Sequence, residues 1–172
     1  MTTRSKQETE VHITEAASRH IGQSVDFADT FSTTNHEHSL QEIVQTILTT
    51  KQRWIVYLFQ LRNWLVKTLG LKTDIPADHN DRFAVGGYVG FFQIYELLPD
   101  EVILGGDDSH LDFRLSVHKT DAAEHNIKVT TLVHFHNRLG KVYMAIVAPF
   151  HRMIVKSMVA QAYREPQLRS QV

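Results

Sequence analysis

Histidine is the residue with most chemistry to offer in this chain. Eleven occur in 172 residues, and each imidazole titrates near neutral pH, so it can act as acid, base or metal ligand. In His134-Phe135-His136 two imidazoles stand at i and i+2. On a strand they project from one face, as a pair of metal ligands would. His118 or Asp112 on a neighbouring strand would be the third donor. The plainer reading leaves both on a wetted face opposite Val133 and Phe135, and the spacing fixes no third ligand. His134 and His136 are thus weak metal candidates, and no cofactor is expected. His36-Glu37-His38 is a similar pair in a polar turn.

His151, in the segment PFHRMIV, follows Pro149. A histidine just past a helix kink is placed to face a cavity and to serve as acid, base or anion contact. Its ordinary role would be a half-exposed helix residue bonded to a carbonyl that proline leaves free. His151 is the first choice for a polar ligand contact, with Tyr95, Tyr143 and Arg114 beside it. Arg114 has the weakest case, because strand parity turns it outward. No catalytic residue is assigned: there is no GxSxG elbow, no HExxH and no paired carboxylate of defined spacing. Cysteine is absent, which excludes thiol chemistry and disulfides and suits the cytoplasm. The acidic run in GGDDSHLD lacks calcium-loop spacing and reads as a hairpin turn. Gly86-Gly87-Tyr88-Val89-Gly90 is no phosphate loop and reads as a bend or bulge in a curved strand.

The elements that must position these groups follow from periodicity. Residues 1–23 are polar and read as a loose arm, with a short helical piece around 14–20. Residues 24–33 carry Val25, Phe27, Ala28 and Phe31 and predict a first strand at a sheet edge. Ser39-Leu40-Gln41-Glu42 fits a capping box opening a helix with Leu40, Ile43, Val44, Ile47 and Leu48 on its buried face. A second helix is expected over 52–69. Its apolar positions, among them Trp54, Trp64 and Leu69, run most of the way round, so it is well buried or carries an interface. Residues 72–87 read as a loop. Strands are expected at 88–97 and 101–105, flanking a turn at Leu98-Pro99-Asp100, and at 110–119 and 127–136, where apolar and polar residues alternate. Each alternating strand predicts one buried and one wet face of an antiparallel sheet. Residues 137–163 form a long helix with Asn137 as N-cap. Tyr143, Ile146, Val147, Phe150, Ile154 and Met158 recur along it at helical spacing. Pro149 predicts a kink there, or two abutting helices.

The composition is that of an ordinary globular chain, with 42% hydrophobic and 22% charged residues. The net charge of −1 gives no argument for nucleic acid or an anionic membrane. The run 54–71 is interrupted by Gln60, Arg62, Asn63 and Lys67 and is a poor membrane span. The N-terminus lacks the apolar core of a signal peptide.

The segments RWIVYLFQLRNWLVKTLGLKT, SHLDFRLSVH and VTTLVHFHNRLGKVYMAIVAPFHRMIVKSMV together resemble a bacterial family, domain of unknown function 2867. The resemblance covers roughly residues 25–162, most specifically in HNRLGKVYMAIVAPFHRMIV. That family looks like a member of the helix-grip (START-like, Bet v 1-like or SRPBCC) superfamily. The resemblance implies an α+β fold in which a seven-stranded twisted antiparallel sheet grips a long C-terminal helix, with two helices after the first strand. It implies no catalytic motif. The expected organisation is an arm over 1–23, one helix-grip domain over 24–163 and a tail over 164–172. The leading expectation is a protein that binds a small apolar or amphipathic molecule between sheet and helix. The alternatives are a cavity enzyme of cyclase, isomerase or hydrolase type using His151 or a tyrosine, and a module that dimerises through the 54–69 helix without any ligand.

Overall fold

The computed structural model describes residues 4–22, 24–49 and 80–164. The helix expected over 52–69, with Trp54 and Trp64, lies outside them. The described residues form an α+β helix-grip arrangement. Seven antiparallel strands make one sheet: β1 (Lys6–Gln7), β2 (Phe27–Thr33), β3 (Tyr88–Val89), β4 (Phe92–Leu97), β5 (Glu101–Asp107), β6 (Leu111–Lys119) and β7 (Ile127–Phe135). Three helices accompany it: α1 (Glu15–Ile21), α2 (Leu40–Leu48) and α3 (Arg138–Gln161). The strand order is β1-β2-β7-β6-β5-β4-β3. Strands β3 to β7 are thus a hairpin meander, and β2 closes against its last member.

The two alternating segments become β6 and β7 nearly as their period-two pattern predicts, and the 101–105 segment becomes β5, which runs on to Asp107. Two expectations about strands are corrected. The 88–97 segment is a hairpin rather than one strand, because Gly90 turns the chain at φ +63° and Val89 pairs back onto Phe92. The first predicted strand is interior, since β1 pairs with β2 on its outer side.

Residues 4–22 are no loose arm. Thr14 caps α1 by accepting from the Ala17 amide, and Ala16, Ala17 and Ile21 pack on Ile103 and Leu132. These side chains lie on the face of the sheet opposite α3, so the expectation of one wholly wet face is also corrected. Small alanines let α1 approach closely, and the second face buries polar residues that hydrogen-bond each other. Thr130 there pairs with Thr30 at 2.8 Å and donates to the His12 carbonyl.

The main core fills the other face. Ile43, Val44, Ile47 and Leu48 of α2 join Phe31, Leu104, Leu115, Val117 and Val129 of the sheet and Met158 and Val159 of α3. The capping box forms as expected, Ser39 accepting from the Glu42 amide while the Glu42 carboxylate accepts from the Ser39 amide. Asn137 caps α3, accepting from the Leu139 and Gly140 amides. At its far end α3 is tied down by Asn35, whose side-chain amide donates to the Ala162 carbonyl at 2.6 Å. Helix α3 runs unbroken through Pro149, so the alternative of two abutting helices does not occur. Proline removes the bond to the Ala145 carbonyl, and both residues sit on the exposed side of the helix, where water can replace it.

Candidate functional site

Fixed at both ends, α3 spans the sheet without filling the space beneath its middle. A cavity of about 200 Å³ remains between them. Strands β6 and β7 contribute Leu111, Phe113, Leu115, Val129, Thr131 and Val133 as its floor. Helix α3 contributes Tyr143, Met144, Val147, Phe150, His151, Ile154, Val155 and Met158 as its roof. Ile47 and Leu48 of α2 close one side, and Phe91 and Phe92 of the β3–β4 hairpin stand at another. A dry apolar cavity of ~150 Å³ is known to take a benzene-sized guest, so this one suits a substituted single ring or a short chain.

Few polar groups interrupt the lining, and they are concentrated in two places. On the floor is Thr131, only 5% exposed, whose hydroxyl has no hydrogen-bond partner. Directly across the ladder from it is Asp29 of β2, 4% exposed. One Asp29 oxygen, Oδ1, lies 3.4 Å from Nε2 of His151, and the other has no hydrogen-bond partner. The guanidinium of Arg152 stands farther off, at 3.9 Å from Oδ2. The His151 ring packs edge-on against Phe27. His151 therefore borders the cavity with a buried carboxylate behind it. That is the order in which a carboxylate orients an imidazole toward a bound molecule. The 3.4 Å contact is long for a hydrogen bond, and such contacts commonly tighten when a ligand binds.

The second polar corner is formed by His110, Asp108 and Tyr143. His110 is buried and meets the Tyr143 ring edge-on at 5.1 Å between centroids. Its Nδ1 is 3.3 Å from Asp108 Oδ1 without hydrogen-bond alignment.

Of the four ligand-contact candidates from sequence, Tyr143 and His151 line the cavity. Tyr95 and Arg114 do not. They lie on the opposite face and fasten α1 to the sheet. The Arg114 guanidinium sits 4.0 Å over the Tyr95 ring, donates to the His20 carbonyl at 3.1 Å and meets Asp107 at 2.6 Å. Tyr95 donates to the other Asp107 oxygen at 3.0 Å. Burial, with Asp107 adding to it against the opposing charge of Arg114, pushes the Tyr95 phenol up to about 12. A bulge between Ile94 and Glu96 lets Tyr95 and Glu96 both reach this face.

His134 and His136 also lie away from the cavity. Their rings are 5.6 Å apart, but each is engaged by its own carboxylate, His134 by Asp26 at 3.1 Å and His136 by Asp112 at 2.8 Å. The bond to Asp112 holds the His136 imidazole above its usual pKa. His118, the other suggested third donor, instead pairs with His12 at 2.9 Å. Among the described residues no group of three or more His, Cys, Asp or Glu side chains is placed to hold a metal ion.

Sequence reasoning missed Asp29 and Thr131. A signal for Asp29 was present. It stands between Phe27 and Phe31 at the same parity, so a carboxylate interrupts an apolar face.

Comparison with family models gives one assignment. Residues 21–158 match the family described as Protein of unknown function (DUF2867), and the chain belongs to that family. Comparison with curated proteins and with solved structures returns no match.

Proposed function

We propose that the protein binds a small, largely apolar molecule carrying one hydrogen-bonding group in the cavity beneath α3. The observation that carries this reading is the pairing of an apolar cavity of about 200 Å³ with a buried, unpartnered Thr131 hydroxyl on its floor. An empty apolar space forfeits dispersion contacts, and an unpaired hydroxyl forfeits a hydrogen bond. A ligand restores both. Apolar walls would supply affinity at about 25 cal/mol per Å² buried, before association costs. Thr131 and His151 would select the polar group. The α3-over-sheet architecture supports placing the chain in the helix-grip superfamily.

A second reading is favoured by one feature, the Asp29 carboxylate behind His151. With a ligand bound, that pair is built to move a proton, as a cavity isomerase or cyclase requires.

Native mass spectrometry of freshly purified protein, then of the same sample denatured, tests the binding reading. A non-covalent adduct is the expected result. If the mass is bare, phenol, indole and octanoate are tested by thermal shift. A fitting molecule at ten times its Kd stabilises by about 1.4 kcal/mol, a rise of ~3–6 °C. Val147→Phe, which fills the cavity, should abolish that shift. No adduct together with no shift from any probe sinks the proposal. Asp29→Asn separates the two readings, leaving ligand retention within a few-fold if the pair only binds and abolishing turnover if it moves a proton.

A further inference from the structure

The outward face of α3 is built unlike the surface of an ordinary globular helix. Val142, Ile146, Phe150 and Met153 are between 38% and 52% exposed. At about 100° per residue they fall within an ~80° arc, over a length of ~17 Å. Immediately beside them on the helix surface, in an arc of about 60°, are Arg138, Lys141, Arg152 and Lys156, all exposed. Pro149 lies between the two strips, and Ala145 falls within the cationic one. No acidic residue occurs from Arg138 to Gln161. Arg138, Lys141 and Lys156 form no ion pair among the described residues, and Arg152 has only its 3.9 Å approach to Asp29. The whole chain carries a net charge of −1, so this cationic strip is a local concentration that the bulk balance hides.

We propose that this face docks on an anionic lipid surface. Contiguous exposed apolar side chains mark interaction sites. An apolar strip flanked by Lys and Arg, of which Arg138, Lys141 and Lys156 have no ion pair among the described residues, matches a membrane interface in particular: apolar side chains enter the acyl boundary while cations reach the lipid phosphates. Charge complementarity is what selects this partner. A second copy of the chain would bring four like charges against four. By length and composition α3 is apolar enough to cross a bilayer. Its buried side, with Tyr143, Met144, Met158 and Val159, is committed to the sheet, so it lies on the surface and does not span. Phe150 belongs to both the strip and the cavity wall. Docking therefore brings the cavity beside the lipid, where apolar molecules partition.

Flotation of the full chain tests this. Vesicles of phosphatidylcholine alone are compared with vesicles of phosphatidylcholine and phosphatidylglycerol in equal parts. Binding is expected to the anionic vesicles only and should weaken as salt rises. Lys141→Gln with Lys156→Gln should weaken it roughly fivefold per cation removed. Ile146→Ser with Met153→Ser should weaken it at least as much. None of these four residues lines the cavity, so ligand binding should survive in both variants, and circular dichroism confirms that they fold. Failure to float with anionic vesicles, equal binding to neutral ones, or flotation unchanged in both variants overturns the proposal. So does a concentration-dependent dimer that Ile146→Ser with Met153→Ser abolishes, which would give the strip to a second copy.

Discussion

Replacing Thr131 by valine should make the protein more stable and a poorer binder. The two side chains share a shape, so the exchange swaps a hydroxyl for a methyl with little strain. In the free protein that hydroxyl is buried without a partner. Such a group costs about 1–3 kcal/mol, and a buried methyl contributes up to about 0.8 kcal/mol. The methyl would face a void, so part of that last contribution is lost. A net gain of about 1–2 kcal/mol follows, read as a rise of ~2–8 °C for a chain of this size. The neighbouring Thr130→Val is the matched control. Its hydroxyl bonds Thr30 and the His12 carbonyl, so the same chemistry one residue away should cost about 1–3 kcal/mol. Urea unfolding followed by circular dichroism measures both, with an unchanged m-value required for the comparison. Affinity for any ligand that bonds Thr131 should fall roughly 2- to 12-fold, for a hydrogen bond worth about 0.5–1.5 kcal/mol. A Thr131→Val protein that is less stable than wild type refutes the reasoning. It would mean that water satisfies the hydroxyl in solution and that a ligand gains nothing by replacing it.

Two further predictions concern the frame around the site. Burial raises the Glu8 carboxyl, but hydrogen bonds from Ser32 and Lys128 outweigh it and hold the group down from 4.5 to about 2. A folded pKa below the unfolded one stabilises above about 4.5, and that contribution drains away as pH falls toward 2. Glu8→Gln should cost on the order of 1–3 kcal/mol at neutral pH after allowance for solvent screening, and urea titrations below pH 4.5 should then show less acid sensitivity than wild type; identical pH profiles would count against it. Gly140→Ala would ordinarily gain about 1 kcal/mol in a helix. Here the new Cβ would stand 2.2 Å from the His110 carbonyl oxygen, so chemical denaturation should instead show a loss of about 1–3 kcal/mol. A stabilised variant would mean that the start of α3 can lift from the sheet.

Much of this frame was readable in the sequence, and the gaps have physical causes. Alternation in β6 and β7 and the caps at Ser39 and Asn137 are local signals, so those elements fall where expected. Helix α1 was legible only in outline because Ala16 and Ala17 bury little area each, and a stripe of alanines hardly differs from a polar stretch. Strand β1 is two residues long, too short for any period. The hairpin at Gly90 hid inside an apolar run that continues on both sides of the turn. The site divides the same way. Tyr143 and His151 follow from helical spacing over a sheet. Strand parity already turned Arg114 outward. Asp29 and Thr131 lie about a hundred residues apart and become a pair only through the β2–β7 register, which no local pattern encodes.

Both rims of the sheet finish in a strand of two residues, β1 at one end and β3 at the other. Sheets meet other sheets along their rims, where unpaired amides and carbonyls invite another chain to add itself. Here the outermost strand at each rim offers only two residues of backbone to a stranger. At the β1 rim, Lys6 and Glu8 add charge, and the Glu8 amide bonds the Thr30 carbonyl beyond the last paired residue. Lys6 to Glu8 thus cover part of the flank of β2. A protease nick before Glu8 would leave the cavity lining untouched, yet it would bare the flank of β2 at Phe31 and Ser32, the two residues that β1 pairs with, to another chain.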